Sequence, residues 1–296
     1  MGVRIKWRSL LHRNFMLTFY ADEVPEPVQT RKLQAVVLDW AGTIVDFGSR
    51  APVAALQSVF ERAGVPVTIA EVRESMGLAK RAHIRSILNN ARVREAWRSM
   101  HGAAPGERTV ERLYELFIPS QIEVLKDHSR LIPGVADAVQ RMRSRGLKIA
   151  TTTGYNREML DYLLGSAARQ QFVPDCALCP DDAPSDRPRP WMCYLAAIRL
   201  EVYPMSTMVK IGDTPVDIEE GRNAGMWTIG VTRTGNEVGV TEDEWTALAE
   251  SDREQRLAVA ENRLRDAGAH FVLQSVADCD AILDRIDALL REGRPP

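Results

Sequence analysis

The sequence predicts an α/β protein: a doubly wound, Rossmann-like parallel sheet with a block of helices inserted after its first strand. Three observations carry this. Short apolar runs recur at 33–38, 147–152, 176–179, 208–212, 227–231 and 270–273, with the length and β-branched content of strands buried on both faces. Helical patterns alternate with them near 134–145, 156–168, 190–200, 216–224, 253–267 and 276–291, the order of right-handed parallel βαβ units. Between about 47 and 130 only helical patterns occur.

The first run, Leu33 to Leu38, delivers Asp39 at its C-terminal end, and Gly42-Thr43 turns the chain at once. In the inserted block, Pro52 suits a first helical turn, Val53, Leu56, Phe60 and Ala63 recur at helical spacing, and Gly64 stops the helix. Thr68 to Glu71 is a capping-box signature that opens a second helix. Gly77 should interrupt it, with Lys80 to Leu88 resuming. Val93, Trp97 and Met100 mark a third piece, His101 to Gly106 a loop, and 110–126 a further helix with a kink expected at Pro119.

The chain has 296 residues, 45% apolar and 26% charged, with net charge −2 and four cysteines. These values belong to a soluble globular protein. They make no electrostatic case for nucleic acid and no disulfide framework, so a reducing cytoplasm is expected. No apolar run approaches the roughly 18–20 residues that span a bilayer. Residues 1–30 carry Arg4, Lys6, Arg8 and Arg13 before a short apolar patch and an acidic, proline-containing stretch. They read as a poorly ordered leader that catalysis does not need, lacking the longer apolar core of a secretory signal. The expected division is a leader (1–30), a sheet domain (31–46 and 131–296) and a helical domain (47–130).

Three predicted strands end in chemically useful groups: Asp39, then Thr151-Thr-Thr-Gly154, then Gly212-Asp213-Thr214. A parallel sheet gathers such ends along its ligand-binding edge. Asp39 there can act as nucleophile or metal ligand, although an aspartate can also merely cap a turn. Thr153 and Gly154 precede a helix, where a hydroxyl and free N–H groups can hold a phosphoryl group. Asp213 and Asp217 stand one helical turn apart beside Asp39, a carboxylate set suited to Mg²⁺.

Asp39-Trp-Ala-Gly-Thr43, Thr153, Arg187 and Gly212-Asp-Thr-Pro-Val-Asp217 resemble the four motifs of the haloacid-dehalogenase-like phosphotransferases, and the helical block resembles that superfamily's cap domain. More closely, Asp-Trp-Ala-Gly-Thr, Met76-Gly-Leu-Ala-Lys80-Arg-Ala-His83, Thr152-Thr-Gly-Tyr155, Arg187-Pro-Arg-Pro-Trp-Met192 and Glu220-Gly-Arg-Asn-Ala-Gly-Met-Trp227 resemble the phosphonoacetaldehyde hydrolases, over about 33–286. The resemblance implies a Mg²⁺-dependent homodimer that hydrolyses phosphonoacetaldehyde to acetaldehyde and phosphate, in a bacterial-type phosphonate degradation route.

It also implies roles. Asp39 would be the phosphoryl-accepting nucleophile, and Asp39, Asp213 and the Ala41 carbonyl would hold Mg²⁺, with Asp217 ordering the surroundings. The superfamily's phosphatases carry a general acid where this chain has Ala41, a loss worth roughly 10²–10⁴-fold in ester hydrolysis. Lys80 would supply a different activation, condensing with the aldehyde so that a protonated imine receives the electrons of the C–P bond. His83 would shuttle protons, Met76 would share the face of Lys80 and His83 if the helix were continuous, and Arg187 would bind phosphoryl oxygens bidentately. Without the resemblance, Lys80 reads as a solvated lysine, His83 as a partner of a nearby acid, and Met76 as packing. Ile44, Asp186 and Arg189 depart from the family pattern, which bears on loop shape and affinity. Rival expectations are a phosphomonoesterase or phosphomutase of the same fold, and a non-catalytic phosphonate or phosphate binder. Cys176-Ala-Leu-Cys179 reads as core thiols, and the arginines at 81, 85, 92, 94 and 98 as a solvated helix face.

Overall fold

Four residues set the frame of the molecule, which is described over residues 32–296 in a computed structural model. They are Ala35–Leu38 (β1), paired in parallel with Lys148–Thr152 (β2) on one side and Met208–Gly212 (β4) on the other. Cys176–Leu178 (β3) lies outside β2, and Trp227–Val231 (β5) and Phe271–Leu273 (β6) lie outside β4, giving the order β3-β2-β1-β4-β5-β6. The direction of winding reverses between β1 and β4, which is where an open α/β sheet forms its ligand crevice. All six runs expected from the sequence are strands. The expectations for residues 1–30 lie outside the described residues.

Successive β1 side chains enter different cores, as the pleat requires. Val36 and Leu38 join the larger core, under Ala51–Arg62 (α1) and Val135–Ser144 (α6). Ala35 and Val37 face the smaller one with Met192, Cys193 and Ala196. Full burial of each large apolar side chain contributes about 1.5–3 kcal/mol.

The insertion continues through Ile69–Arg73 (α2), Lys80–Asn89 (α3), Ala91–His101 (α4) and Glu107–His128 (α5), the last assigned as one helix through Pro119. The capping box at Thr68 and Glu71 is present, but α2 lasts only five residues, so Met76 lies in a turn and not on the helix of Lys80. The entry and exit of the insertion run side by side: the N–H of Ile132 donates to the carbonyl of Ile44 at 2.9 Å. Asp46 joins both, accepting from the N–H of Ala51 at 2.8 Å and pairing with His128 Nδ1 at 2.7 Å.

The remaining helices are Arg157–Arg169 (α7), Trp191–Leu200 (α8), Pro215–Asn223 (α9), Glu242–Ala247 (α10), Glu250–Asp266 (α11) and Asp280–Arg291 (α12). Two differ from expectation. The short, polar α10 has no apolar stripe, and only its capping box at Thr241 and Glu244 announces it. The run expected at 276–291 opens as a 3₁₀ turn over Val276–Asp278 before α12 begins. Cys176 and Cys179 are buried thiols, as expected. Arg81, Arg85 and Arg92 pair with Glu111, Glu107 and Glu71 on the surface of the insertion.

Candidate active site

Parallel pairing in register (Leu38 with Thr151 and with Ile211) brings Asp39, Thr153 and Asp213 to one edge of the sheet. The N–H of Asp39 donates to the Ile211 carbonyl at 2.9 Å, which fixes the nucleophile candidate against β4. Gly42 permits the close approach of the metal-ligand candidate. Its φ is +80°, and a Cβ there would stand 2.1 Å from Asp213 Oδ2. That oxygen accepts from the Asn236 N–H at 2.8 Å.

The insertion closes the edge from above. Gly77 has φ +90°, and a Cβ on it would meet Thr214 Oγ1 at 2.4 Å. The turn between α2 and α3 is therefore seated directly on the loop after β4, which places Lys80, the first residue of α3, over the carboxylates. Gly77→Ala should strain this seat, costing modest stability and about 10–100-fold in kcat/KM through misplacement of Lys80. Steady-state kinetics beside a melting curve would check it, and unchanged kinetics in a folded variant would refute it.

A cavity of about 20 Å³ results, lined by Asp39, Ala41, Met76, Lys80, Thr153, Gly154, Arg187 and Asp213, with Ser49 and Tyr155 among its other walls. Eight of the ten residues singled out in the sequence thus meet at one place. Asp217 stands behind it, its Oδ1 2.8 Å from Arg187 and 3.1 Å from Lys210, its Oδ2 accepting from the Thr214 hydroxyl. His83 is fully buried and does not line the cavity. Its Nε2 meets the Val72 carbonyl at 2.7 Å, while Nδ1 has no partner among the described residues.

Beneath the cavity lies an ion cluster that the motifs did not reveal. Arg187 contacts Asp39 at 2.8 Å through Nη1, Glu220 at 3.0 Å through Nε, and donates to Thr152 Oγ1 at 2.6 Å. Lys210 donates to the same hydroxyl at 2.8 Å and lies 3.3 Å from Glu220. The signal for Lys210 was available: a lysine inside the apolar strand Met208–Gly212 must be paired to be buried. Glu220 follows Asp217 by three residues on α9, so both face that strand. Removing one member of such a cluster costs about 3–5 kcal/mol, because a buried charge is left uncompensated.

These surroundings set the protonation states. Burial pushes the Lys80 ammonium down to about 8, with Arg187 adding to it and Asp39 opposing. Its Nζ lies 5.1 Å from the centre of the Tyr155 ring. Burial and then Asp217 raise Asp39 to about 6, against the pull of Arg187. Burial would raise Asp217 too, but Arg187 and Lys210 hold it below its ordinary value. Burial, followed by Lys80, drives His83 down to about 3, so its ring is neutral.

Asp213 is pushed well above its ordinary value by burial and by the charges of Asp39 and Asp217. Single oxygens of Asp39, Asp213 and Asp217 lie within 4.8 Å of one another. Four buried carboxylates (Asp39, Asp213, Asp217, Glu220) meet three buried cations (Lys80, Arg187, Lys210). An oxygen-rich cluster short of positive charge fits a hard divalent cation.

Fold and site together define a class. Residues 33–225 match the family model described as haloacid dehalogenase-like hydrolase. A phosphonoacetaldehyde hydrolase of Syntrophobacter fumaroxidans is 46% identical over 267 residues, covering 90% of this chain and 96% of the relative. One of Bacillus cereus is 40% identical over 256 residues, covering 86% and 97%. The crystal structure of a phosphonoacetaldehyde hydrolase-like protein from Oleispira antarctica superposes with a TM-score of 0.88 at 40% identity, covering 89% and 96%. The chain belongs to the haloacid dehalogenase-like hydrolases, in the family of these phosphonoacetaldehyde hydrolases.

Proposed function

We propose that this chain hydrolyses the C–P bond of phosphonoacetaldehyde, releasing acetaldehyde and phosphate. The observation that carries the reading is a buried lysine amine, Lys80, in the same small cavity as Asp39, with Ala41 where an ester phosphatase needs an acid. Expulsion of a bare carbanion is too costly, so the bond breaks only next to an electron sink. The Lys80 amine adds to the aldehyde and loses water to give a protonated imine. Asp39 attacks phosphorus, the C–P pair collapses into an enamine, and an aspartyl-phosphate remains. Water then releases phosphate from Asp39, and protonation and hydrolysis free acetaldehyde from Lys80.

Arg187, bonded to Asp39 and aimed at the cavity, steadies the phosphoryl oxygens together with Thr153 and the N–H groups at Gly154. His83, neutral and behind the cavity lining, sits one turn along α3 from Lys80, and the proton shuttle of this reading through its open Nδ1 requires water to reach it. Met76 packs beside the amine and excludes water. The same reading takes 47–130 as a cap domain over a core of 31–46 and 131–296, with a homodimer working in the cytoplasm. Family likeness supports the dimer, and four free, buried cysteines fit a reducing cytoplasm.

The metal in this reading is Mg²⁺, held by Asp39, Asp213 and the Ala41 carbonyl, with Asp217 ordering Arg187 and Lys210 around it. When bound it would neutralise charge on the phosphoryl oxygens. Asp213→Ala should raise the Mg²⁺ concentration needed for half-maximal activity by about 10–100-fold or abolish activity. A Mg²⁺ titration of both proteins would check this, and activity surviving thorough chelation would remove the metal from the scheme. The direct test of the function is incubation with phosphonoacetaldehyde and Mg²⁺, with phosphate and acetaldehyde measured together. Equal yields are expected, and the absence of either product would overturn the reading.

A further inference from the structure

We propose that the same site also dephosphorylates acyl phosphates, of which acetyl phosphate is the smallest of the right shape. The inference rests on the reading of Asp39 as nucleophile, but not on Lys80 chemistry.

Apart from Lys80, the cavity lacks a group placed to protonate a leaving group. Its lining contains two carboxyl groups, Asp39 and Asp213. Asp39 is the attacking group, and Asp213 is held by the Asn236 N–H and belongs to the cation cluster. Ala41 has no proton to give. The Tyr155 hydroxyl makes no hydrogen bond among the described residues, and burial pushes its pKa well above the ordinary value, so it is a poor donor. Arg187 is committed to Asp39, Asp217, Glu220 and Thr152, which keeps it charged. In the unaltered chain the Lys80 ammonium is the acid that remains in the lining; with arginine in its place, displacement at phosphorus is supported in full on the nucleophile's side and very little on the leaving group's side.

Such a site sorts phosphoryl donors by how much their leaving group needs a proton. An alkyl phosphate expels an alkoxide as basic as hydroxide, whose conjugate acid has a pKa of about 16. An acyl phosphate expels a carboxylate, whose conjugate acid lies near 4–5 and which leaves unprotonated. In acetyl phosphate the carbonyl carbon is two bonds from phosphorus, as it is in phosphonoacetaldehyde, so both present similar shapes to the cavity. Asp39 attacks phosphorus, the P–O bond breaks with its electrons going to acetate, and water hydrolyses the aspartyl-phosphate to phosphate. The step needs neither an electron sink nor a general acid.

Lys80 makes the test sharp, because its amine faces the same carbonyl. Attack there would break the C–O bond, leave an acetyl group on Lys80, release phosphate once and stop the enzyme. Lys80→Arg removes that route and also removes C–P cleavage.

The experiment presents acetyl phosphate, ethyl phosphate and phosphonoacetaldehyde, with Mg²⁺, to the full chain and to its Lys80→Arg and Asp39→Asn variants. Phosphate release is followed, and acid-quenched protein is mapped by mass spectrometry. The expected result is repeated turnover of acetyl phosphate by Lys80→Arg. A phosphoryl group should map to the Asp39 peptide, ethyl phosphate should be at least about 100-fold slower, and Asp39→Asn should be inert. Ethyl phosphate turned over as fast as acetyl phosphate would overturn the inference, as would phosphate release that stops with acetylated Lys80. If the unaltered chain cleaves phosphonoacetaldehyde and leaves acetyl phosphate untouched, the inference fails alone. If it cleaves neither, the nucleophile reading fails with it. The unaltered chain keeps the test decisive should Lys80→Arg not fold.

Discussion

Lys80→Arg should leave a folded protein that has lost C–P cleavage by roughly 10⁴-fold or more, the scale of removing a covalent catalyst. Arginine keeps a positive charge above the carboxylates but cannot condense with an aldehyde. Borohydride added together with substrate or acetaldehyde should inactivate the unaltered enzyme, and the added mass should map to the peptide holding Lys80. The pH dependence has a definite sign. The amine attacks only when neutral, so kcat/KM should rise with pH and level off above about 8, where burial places the Lys80 ammonium. At an unshifted pKa about 0.1% of the amine would be neutral at pH 7.5, against roughly a quarter at 8. Labelling at another lysine, near-normal turnover by Lys80→Arg, or a rate that falls through pH 8 would refute the assignment.

Asp39→Asn should be the other near-total loss, about 10⁴-fold or more, with the fold retained. The change holds shape nearly constant while removing the nucleophile and one negative charge. It turns the ion pair with Arg187 Nη1 into a hydrogen bond to an amide oxygen, and Asp217 and Glu220 continue to pair that guanidinium, so the loss should appear in kcat and not in unfolding. Beryllium fluoride with Mg²⁺, a mimic of the aspartyl-phosphate, should bind the unaltered protein and fail to bind the variant. Substantial phosphate release by Asp39→Asn would mean that the nucleophile lies elsewhere.

The sheet was legible because its strands are short, mostly apolar runs, and a parallel order obliges the ends of β1, β2 and β4 to meet. Asp39, Thr153 and Asp213 could be placed together on that ground alone. Lys80 could not. It opens a helix beginning Lys-Arg-Ala-His, a pattern typical of an exposed face. It is buried because Gly77 seats its turn on Thr214, a contact spanning more than a hundred residues of sequence. Only family likeness pointed to it. Met76 shows the same limit, since α2 stops at Arg73 and leaves Met76 in the turn before the left-handed Gly77, off the helix of Lys80. Lys210 and Glu220 were missed because their partner, Arg187, comes from a loop with no periodic pattern. Helix α10 escaped because six residues with Trp245 and Ala247 as their only apolar positions form no stripe to detect.

The narrowness of the chamber beside Asp39 bears on what the phosphoryl group can become. A water needs about 10–15 Å³ of such space, and the cavity offers about 20 Å³, too little for phosphonoacetaldehyde. On the proposed reading the turn that Gly77 seats on Thr214 has to lift to admit substrate. Seated again over a phosphorylated Asp39, it would leave beside that residue a space the size of water, which favours hydrolysis over transfer to a larger acceptor.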